Sequence, residues 1–263
     1  MPAYLDTIVA AHRASAAHDR RTTEALVERA LDLPPTRRFA EGLGYGAEED
    51  GLAVISEIKR RSPSKGDLDL DLDPAAVAAD YERGGAAALS VLTDRAFFGG
   101  SPEDLAAARG ACDLPVLRKD FTVAANDVVD ARLMLADAVL LIVAALTPEE
   151  LADLVALAAR LQLDALVEVH DEDELARAID ADATLIGVNQ RDLHTFEVDH
   201  ERALRMARLF PEGVTSVAES GIRGPEDAAR LSDAGYDAVL VGETLVRSAD
   251  RRAAVAGLLG TIR

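Results

Sequence analysis

The stretch AVLLIVAALTPEELADLVALAARLQLDALVEV, residues 138–169, decides the fold of this chain. It opens with a continuous apolar run over 138–143 and closes with a second over 165–169, as expected for parallel strands buried on both faces. The segment between them opens with a threonine, a proline and two glutamates, which is a common start of a helix. The stretch therefore predicts two parallel strands joined by a helix.

The same alternation of strand and helix runs along the whole chain. Further strand-like apolar runs lie at 53–58, 87–92, 115–118, 184–188, 214–218 and 238–241. Eight strands in regular alternation with helices predict a closed α/β barrel, the (β/α)8 TIM barrel, and 263 residues suit that fold. A doubly wound open sheet is the alternative, but it usually carries a glycine-rich loop after its first strand, and this sequence has none there.

The domain organisation follows from where the first strand begins. Residues 1–45 look helical and are too few for a separate domain, so we expect an N-terminal helical extension that caps the barrel. The barrel core should span 52–248, and the whole chain, 1–263, should form a single domain.

Composition excludes several classes of protein. The formal net charge of -19 argues against nucleic acid as a partner. No apolar run reaches the ~20 residues of a membrane span, and the N-terminus lacks the long apolar segment of a signal peptide. The single cysteine, Cys112, rules out a disulfide framework, and the histidines show no metal-binding spacing. We expect a cytoplasmic protein without a membrane partner or a metal.

Lysine is rare in this chain, which makes each lysine informative. Of the 28 lysines and arginines, only Lys59, Lys65 and Lys119 are lysines. An ammonium group can have its pKa tuned by its surroundings, whereas a guanidinium stays charged. Two of the three lysines follow strand-like runs, so we consider them candidates for acid–base chemistry.

Polar residues recur at the carboxyl ends of the predicted strands, where barrel enzymes build their active sites. The sequence therefore predicts one site that combines, in chain order, Glu57, Lys59, Ser62, Lys119, Asp120, Glu168, His170, Asn189, Arg191, Glu219, Ser220, Gly221, Gly242 and Glu243. Some polar strand ends simply meet solvent, and Asp120 and His170 fit that simpler interpretation.

Two glycine motifs, AESGI (218–222) and LVGETL (240–245), follow the seventh and eighth strands. Loops at these positions commonly bind phosphate through backbone N–H groups, so we expect a phosphorylated small-molecule ligand. The run VISEIKRRSPSKGD (54–67) could supply the local positive charge through Lys59, Arg60, Arg61 and Lys65. Phe97 and Phe98 either anchor a loop or line an aromatic pocket.

Eight motifs resemble, in order and spacing, those of indole-3-glycerol phosphate synthase. They are SEIKRRSPSKG, LSVLTDRAFFGGS, PVLRKDF, ADAVLLIVAAL, LVEVHDEDEL, IGVNQRDLHTFEVD, VAESGI and VGETLV, and they cover about residues 52 to 248. The N-terminal extension is similar to the extra helical segment of that family. The resemblance implies a carboxy-lyase of tryptophan biosynthesis that closes 1-(2-carboxyphenylamino)-1-deoxyribulose 5-phosphate to indole-3-glycerol phosphate, without cofactor or metal.

The resemblance also implies roles for single residues. Lys119 matches the general acid, Glu168 the general base, and Lys59 a second catalytic lysine held by Glu57. Asn189, Arg191 and Glu219 match residues that position the substrate, with Arg191 near its carboxylate. The positions that match phosphate or substrate binding are Ser62, Ser220, Gly221, Gly242 and Glu243, and those that match the aromatic pocket are Phe98, Phe121, Leu140 and Ile142.

Some features depart from the family pattern or stay open. Gln190 replaces a frequent asparagine, Glu243 stands where some relatives have serine, and TVAANDVVDARLML (122–135) is an unusual segment. A lysine acid works best with a lowered pKa, and we expect Lys59 and partial burial to lower that of Lys119. Which lysine serves each proton transfer stays open.

Two other functions deserve comparison. A sugar isomerase of the phosphoribosylanthranilate type would need an Asp–Cys pair at opposed strand ends, but Cys112 precedes its strand. A binding barrel that only docks a neighbouring enzyme would not keep so complete a set of charged residues. For the assembly we expect a monomer or a weak homodimer.

Overall fold

The structure is a computed structural model that describes residues 4–62, 65–193 and 195–260, without the side chains of Glu49 and Asp50. The motif residues Pro63, Ser64 and His194 therefore lie outside the described part. Eight parallel strands close into a barrel: β1 Ala53–Ile58, β2 Ala88–Leu92, β3 Val116–Lys119, β4 Ala138–Ile142, β5 Asp164–Val169, β6 Leu185–Asn189, β7 Thr215–Glu219 and β8 Ala238–Val241. The predicted TIM barrel is confirmed, with each strand boundary within about one residue.

Helices precede the barrel and connect its strands. They are α1 Tyr4–His18, α2 Thr23–Leu31, α3 Phe39–Asp50, α4 Pro74–Arg83, α5 Arg95–Phe98, α6 Pro102–Ala111, α7 Ala125–Leu133, α8 Pro148–Arg160, α9 Glu172–Asp180, α10 Arg202–Met206, α11 Pro225–Asp233, α12 Glu243–Val246 and α13 Arg251–Leu258. At the start of α8, the Thr147 hydroxyl accepts from the Glu150 N–H, and the Glu150 carboxylate accepts from the Thr147 N–H. This reciprocal cap fixes the helix start that the sequence predicted.

The helix α3 closes the amino-terminal end of the barrel. Its Phe39 and Leu43 are fully buried and pack in one cluster with inward-facing strand residues such as Ala53 and Ile55. A side chain at Gly46 would contact Ala53 at the beginning of β1, which places the helix at that end.

The helix α1 lies at the opposite end, above the carboxyl ends of the strands. Arg13 donates to both carboxylate oxygens of Glu150 at 2.8 Å and to the Ala145 carbonyl at 2.9 Å. His12 Nε2 lies 3.0 Å from Asp94 Oδ2, in the loop after β2. The N-terminal helices therefore contact both ends of the barrel. Among the described residues, no helix is long and apolar enough to cross a membrane.

Candidate active site

A cavity of about 680 Å³ opens at the carboxyl ends of the barrel strands. Each strand contributes residues to it or to the loop that follows, as a closed parallel barrel requires. The lining includes every residue to which the family resemblance gave a role: Glu57, Lys59, Ser62, Phe98, Lys119, Phe121, Leu140, Ile142, Glu168, Asn189, Arg191, Glu219, Ser220, Gly221, Gly242 and Glu243. The structure thus brings the predicted site residues together, and their roles remain predictions.

Lysines and glutamates form a buried charged centre at the floor of the cavity. Lys119 Nζ lies 3.0 Å from Glu219 Oε2 and 3.7 Å from the Oε2 atoms of both Glu57 and Glu168. Lys59 Nζ donates to Glu57 Oε1 at 2.5 Å. The two ammonium groups therefore face three carboxylates in a region shielded from solvent, where charge interactions are strong.

The pKa of Lys119 shifts in the direction opposite to our expectation. Burial lowers it, but the charges of Glu219, Glu57 and Glu168 outweigh burial and raise the pKa above its usual value. We expected a lowered pKa because only Lys59 and burial were taken into account. The sequence does not show that three carboxylates converge on one ammonium group. Lys119 is consequently charged in the free site.

Two of these carboxyl groups behave differently although both contact Lys119. Burial raises the pKa of Glu219 to about 7, and the attraction of Lys119 offsets this only in part. Burial also disfavours the charge of Glu57, but Lys59 and Lys119 together outweigh it and lower the pKa of that carboxyl. Glu57 is thus a permanent counter-charge, while Glu219 titrates near neutral pH.

Glu168 is oriented by its neighbours on the barrel. Asn189 Nδ2 donates to Glu168 Oε1 at 3.1 Å, and Asn189 Oδ1 accepts from the Arg191 N–H at 3.0 Å. On the other side, His170 Nε2 lies 3.5 Å from Glu168 Oε1. Asn189 therefore links the carboxylate to the loop that carries Arg191.

Two strand-end residues were assigned wrongly from the sequence. His170 and Asp120 were expected to meet solvent, but the His170 side chain is only 12% exposed and Asp120 is buried. Asp120 accepts from Thr93 Oγ1 at 2.5 Å and pairs with Arg118 at 3.0 Å. These partners make the burial of Asp120 possible, and Glu174 does the same for His170.

Two glycines make room for the charged centre. A Cβ at Gly187 of β6 would lie 2.1 Å from Glu219 Oε1, and one at Gly242 would lie 2.4 Å from Glu57 Oε1. Gly187 was not identified from the sequence, and Gly242 was assigned to phosphate or substrate binding only. Both glycines lie in or directly after an apolar strand. A glycine at such a position often marks a place where another group comes close to the backbone.

The mouth of the cavity near β7 and β8 carries the glycine loops. Ser220 and Gly221 have φ angles of 63° and 74°, and Gln190 Nε2 donates to the Ser220 carbonyl at 2.8 Å. The unusual Gln190 thus supports a left-handed turn that is costly for serine. Arg223 and Arg247, which the sequence analysis missed, also line this part of the cavity.

The cationic run after β1 contributes less charge to the cavity than predicted. Lys59 and Lys65 line it. Arg60 instead pairs with Asp104 at 3.0 Å, and Arg61 pairs with Asp67 at 2.7 Å. Half of the predicted positive patch therefore stabilises loops.

Aromatic side chains form another wall. The rings of Phe98 and Phe121 lie 6.2 Å apart and line the cavity with Leu140 and Ile142. Phe97 packs edge-on against Tyr4 of α1, with ring centroids 6.0 Å apart. Phe98 therefore lines the pocket, whereas Phe97 anchors its loop to α1.

His12, Asp94 and Asp120 lie close enough together to resemble a cation site. Their atoms already have partners, because Asp94 accepts from His12 and from two backbone N–H groups, and Asp120 pairs with Arg118. This cluster is explained as an ion-pair network that ties α1 to the loops after β2 and β3.

A TIM barrel with a buried lysine–glutamate centre and glycine loops after β7 and β8 is typical of an enzyme that acts on a small phosphorylated substrate. The family model for indole-3-glycerol phosphate synthase matches residues 5–258, and the chain belongs to this family. The family predicted from the eight motifs is confirmed, and with it the activity of a carboxy-lyase in tryptophan biosynthesis.

Relatives of known name agree with this assignment. The chain is 52% identical to indole-3-glycerol phosphate synthase 2 of Streptomyces coelicolor, over 91% of this chain and 92% of that protein. It is 51% identical to indole-3-glycerol phosphate synthase of Kineococcus radiotolerans, over 97% and 94% of the two chains. A solved thiamine phosphate pyrophosphorylase of Pyrococcus furiosus superposes with a TM-score of 0.61 at 18% identity, covering 81% of this chain and 96% of that one, which shows the fold alone.

Proposed function

We propose that the cavity closes 1-(2-carboxyphenylamino)-1-deoxyribulose 5-phosphate to indole-3-glycerol phosphate, with loss of carbon dioxide and water, through its Lys119–Glu168 centre. The observation that carries the proposal is the Lys119 ammonium group, held among three carboxylates at the cavity floor. This arrangement supplies a proton donor and a proton acceptor 3.7 Å apart, and general acid–base catalysis requires both.

In ring closure, a lysine donates a proton to the ketose oxygen while the aromatic carbon attacks the carbonyl carbon. Departure of carbon dioxide then restores the aromatic ring. Lys119 and Lys59 both line the site and can each donate a proton, and dehydration needs a second proton for the departing hydroxyl group. One lysine therefore serves ring closure and the other serves dehydration, and Glu57 contacts both, at 2.5 Å from Lys59 and 3.7 Å from Lys119.

Glu168 is the base of the dehydration step. It takes a proton from the methylene carbon next to the nitrogen as the hydroxyl group leaves, which creates the indole double bond. Two protons are thus given to the substrate and one is taken from it. Because the carboxylate leaves as neutral carbon dioxide, each turnover consumes one proton overall.

The substrate is held at both of its ends. The aromatic ring lies between Phe98, Phe121, Leu140 and Ile142, and Arg191 faces its carboxylate. The phosphate lies at the loops after β7 and β8, where backbone N–H groups and the cations Lys65 and Arg247 in the lining favour an anion, whereas Arg223 pairs with Asp227 at 2.8 Å. The Glu243 carboxylate lies 3.8 Å from Arg247, so the residue contributes its backbone N–H to the phosphate.

Single substitutions test these roles. Lys119→Ala and Glu168→Gln should each lower kcat by ~10²-fold or more, as loss of a general acid or base does. Both variants should still bind indole-3-glycerol phosphate in isothermal titration. Arg191→Ala should mainly weaken substrate binding. Near wild-type kcat in Lys119→Ala or Glu168→Gln would remove that residue from the mechanism.

We further propose that the chain, 1–263, folds as one domain, with the helical extension (1–45) capping the barrel core (52–248), and works in the cytoplasm as a monomer or weak homodimer. Burial of Phe39 and Leu43 with the strand residues supports one folding unit. Light scattering over a range of protein concentrations tests the assembly, and a single unfolding transition by two probes tests the domain.

A further inference from the structure

His170 connects the proposed base to the edge of the barrel. Its Nε2 atom is buried, lies 3.5 Å from Glu168 Oε1, and has no hydrogen-bond partner among the residues that the structure describes. Its Nδ1 atom lies 3.0 Å from Glu174 Oε2. The imidazole thus lies between two carboxylates.

The position of Glu174 is fixed by the start of α9. The Glu174 N–H donates to Asp171 Oδ1 at 2.8 Å, and the Glu174 carboxylate accepts from the His170 backbone N–H at 2.7 Å. The same carboxylate oxygen accepts from the ring, so it selects the form of His170 that carries a proton on Nδ1. In neutral His170 the unprotonated Nε2 therefore lies beside the base, 3.5 Å from Glu168 Oε1.

A buried lone pair beside a carboxylate is unfavourable unless a proton lies between them. The proposed mechanism supplies that proton, because Glu168 becomes protonated in every dehydration step. Glu168 must lose this proton before the next turnover, and Glu174, whose side chain is 15% exposed, gives the imidazole a route to water.

On the basis of the function proposed above, we infer that His170 is a proton-relay residue that returns Glu168 to its carboxylate form. The O–H bond of Glu168 breaks, an N–H bond forms at His170 Nε2, and the resulting imidazolium is stabilised by Glu174. His170 then releases its Nδ1 proton to solvent through Glu174, and before the next turnover the ring loses the Nε2 proton and regains one at Nδ1, which restores the starting form. The ring does not line the cavity, so it acts through Glu168.

The relay predicts a pH dependence with a definite sign. Burial lowers the pKa of His170, but the hydrogen bond to Glu174 and the charges of Glu168 and Glu174 outweigh burial and Arg202, so the pKa is raised. Only neutral His170 can accept a proton. The relay therefore fails, and kcat falls, as pH decreases through this raised pKa.

His170→Gln tests the relay, because glutamine keeps a polar group of similar length but cannot accept a proton. We expect kcat to fall by about tenfold, less than on loss of the base itself, with KM changed less than about twofold. The fall of kcat at low pH that protonation of His170 causes, its acidic inflection, should disappear from the pH profile. His18→Gln on the exposed end of α1 is the matched control and should keep the wild-type profile.

A second measurement does not depend on activity. Nuclear magnetic resonance titration of the His170 ring should give a lower pKa in Glu168→Gln and in Glu174→Gln than in the wild type, because each variant removes a negative charge that faces the ring. An unchanged His170 pKa in Glu168→Gln would overturn the inference, even if His170→Gln failed to fold.

The two proposals can fail separately. If Glu168→Gln remains active, the proposed base is wrong and the relay falls with it. If Glu168→Gln is inactive while His170→Gln keeps wild-type kcat and its acidic inflection, only the relay is wrong.

Discussion

At the scale of single residues, the site depends on charges held at short range. The sequence identifies the charged residues because lysine is rare and glutamates follow apolar strands. It does not show that Glu57, Glu168 and Glu219 converge on Lys119. Because a pKa depends on burial and neighbouring charge, the direction of the Lys119 shift required the three-dimensional arrangement.

The first residue-scale prediction concerns Gly187. In Gly187→Ala, the new Cβ would lie 2.1 Å from Glu219 Oε1, so this carboxylate must shift, and we expect its 3.0 Å contact with Lys119 through Oε2 to lengthen. We expect kcat to fall about tenfold or more, because a small displacement of a catalytic group lowers the rate strongly. Gly110→Ala in α6, where a side chain has open space, is the control and should keep full kcat. Equal kcat in the two variants would contradict the role of Gly187.

The second residue-scale prediction concerns Glu219 and pH. Its folded-state pKa of about 7 lies above the usual 4.5, so the folded protein holds a proton that the unfolded chain has lost in this window. Stability therefore falls as pH rises from about 4.5 to about 7. Glu219→Gln cannot ionise, so its Tm should exceed that of the wild type by more at pH 8 than at pH 5. Each kcal/mol corresponds to about 2–4 °C in a domain of this size.

Calorimetry at both pH values checks this prediction. A Tm difference that is the same at pH 5 and pH 8 would show that Glu219 titrates as an ordinary surface carboxyl. The same variant should lose activity, because the charge that destabilises the fold also holds Lys119.

At the scale of elements, the strands and most barrel helices could be predicted because their signals are local. Apolar runs mark β4 and β5, and a threonine–proline start marks α8. The path of the N-terminal helices could not be predicted, since their contacts join distant positions. The unusual segment 122–135 is an example, because its Asn126 donates to Asp19 and accepts from Thr23 in the extension.

The element-scale prediction concerns α3, which closes one end of the barrel. Phe39→Ala should lower the free energy of unfolding by about 3–5 kcal/mol, because it leaves a cavity among fully buried residues. Tyr45→Ala on the same helix is the control, since Tyr45 is exposed and should change stability little. Urea unfolding of both variants gives the comparison. A loss below about 1 kcal/mol in Phe39→Ala would show that α3 does not seal the barrel.

At the scale of the whole molecule, an acidic protein must bind an anionic substrate. The net charge of -19 repels the substrate, whereas the cations at the cavity mouth attract it. At moderate salt, screening limits the range over which exposed charges interact to roughly 8–10 Å. The local cations therefore dominate the electrostatic potential at the mouth. The composition shows the acidity, but only the fold separates Lys65 at the mouth from Arg61, which pairs with Asp67.

The corresponding prediction compares these two cations. Lys65→Gln should raise KM several-fold without changing kcat, because an exposed lysine at the mouth contributes to binding. The effect should shrink at high salt, since exposed charges are screened. Arg61→Gln removes a charge of the same sign, yet it should leave KM nearly unchanged. A larger rise of KM in Arg61→Gln than in Lys65→Gln would contradict the claim that Lys65, and not Arg61, attracts the substrate at the mouth.

The central claim is that the Lys119–Glu168 centre forms the indole ring. The chain contains no tryptophan, so indole emission can be followed without tryptophan background. The measurement mixes the protein with 1-(2-carboxyphenylamino)-1-deoxyribulose 5-phosphate and records that emission, with folded Lys119→Ala in parallel. The account predicts emission that grows with time in the wild type and at least ~10²-fold more slowly in the variant. No emission from folded wild type, or equal rates in both proteins, would contradict it.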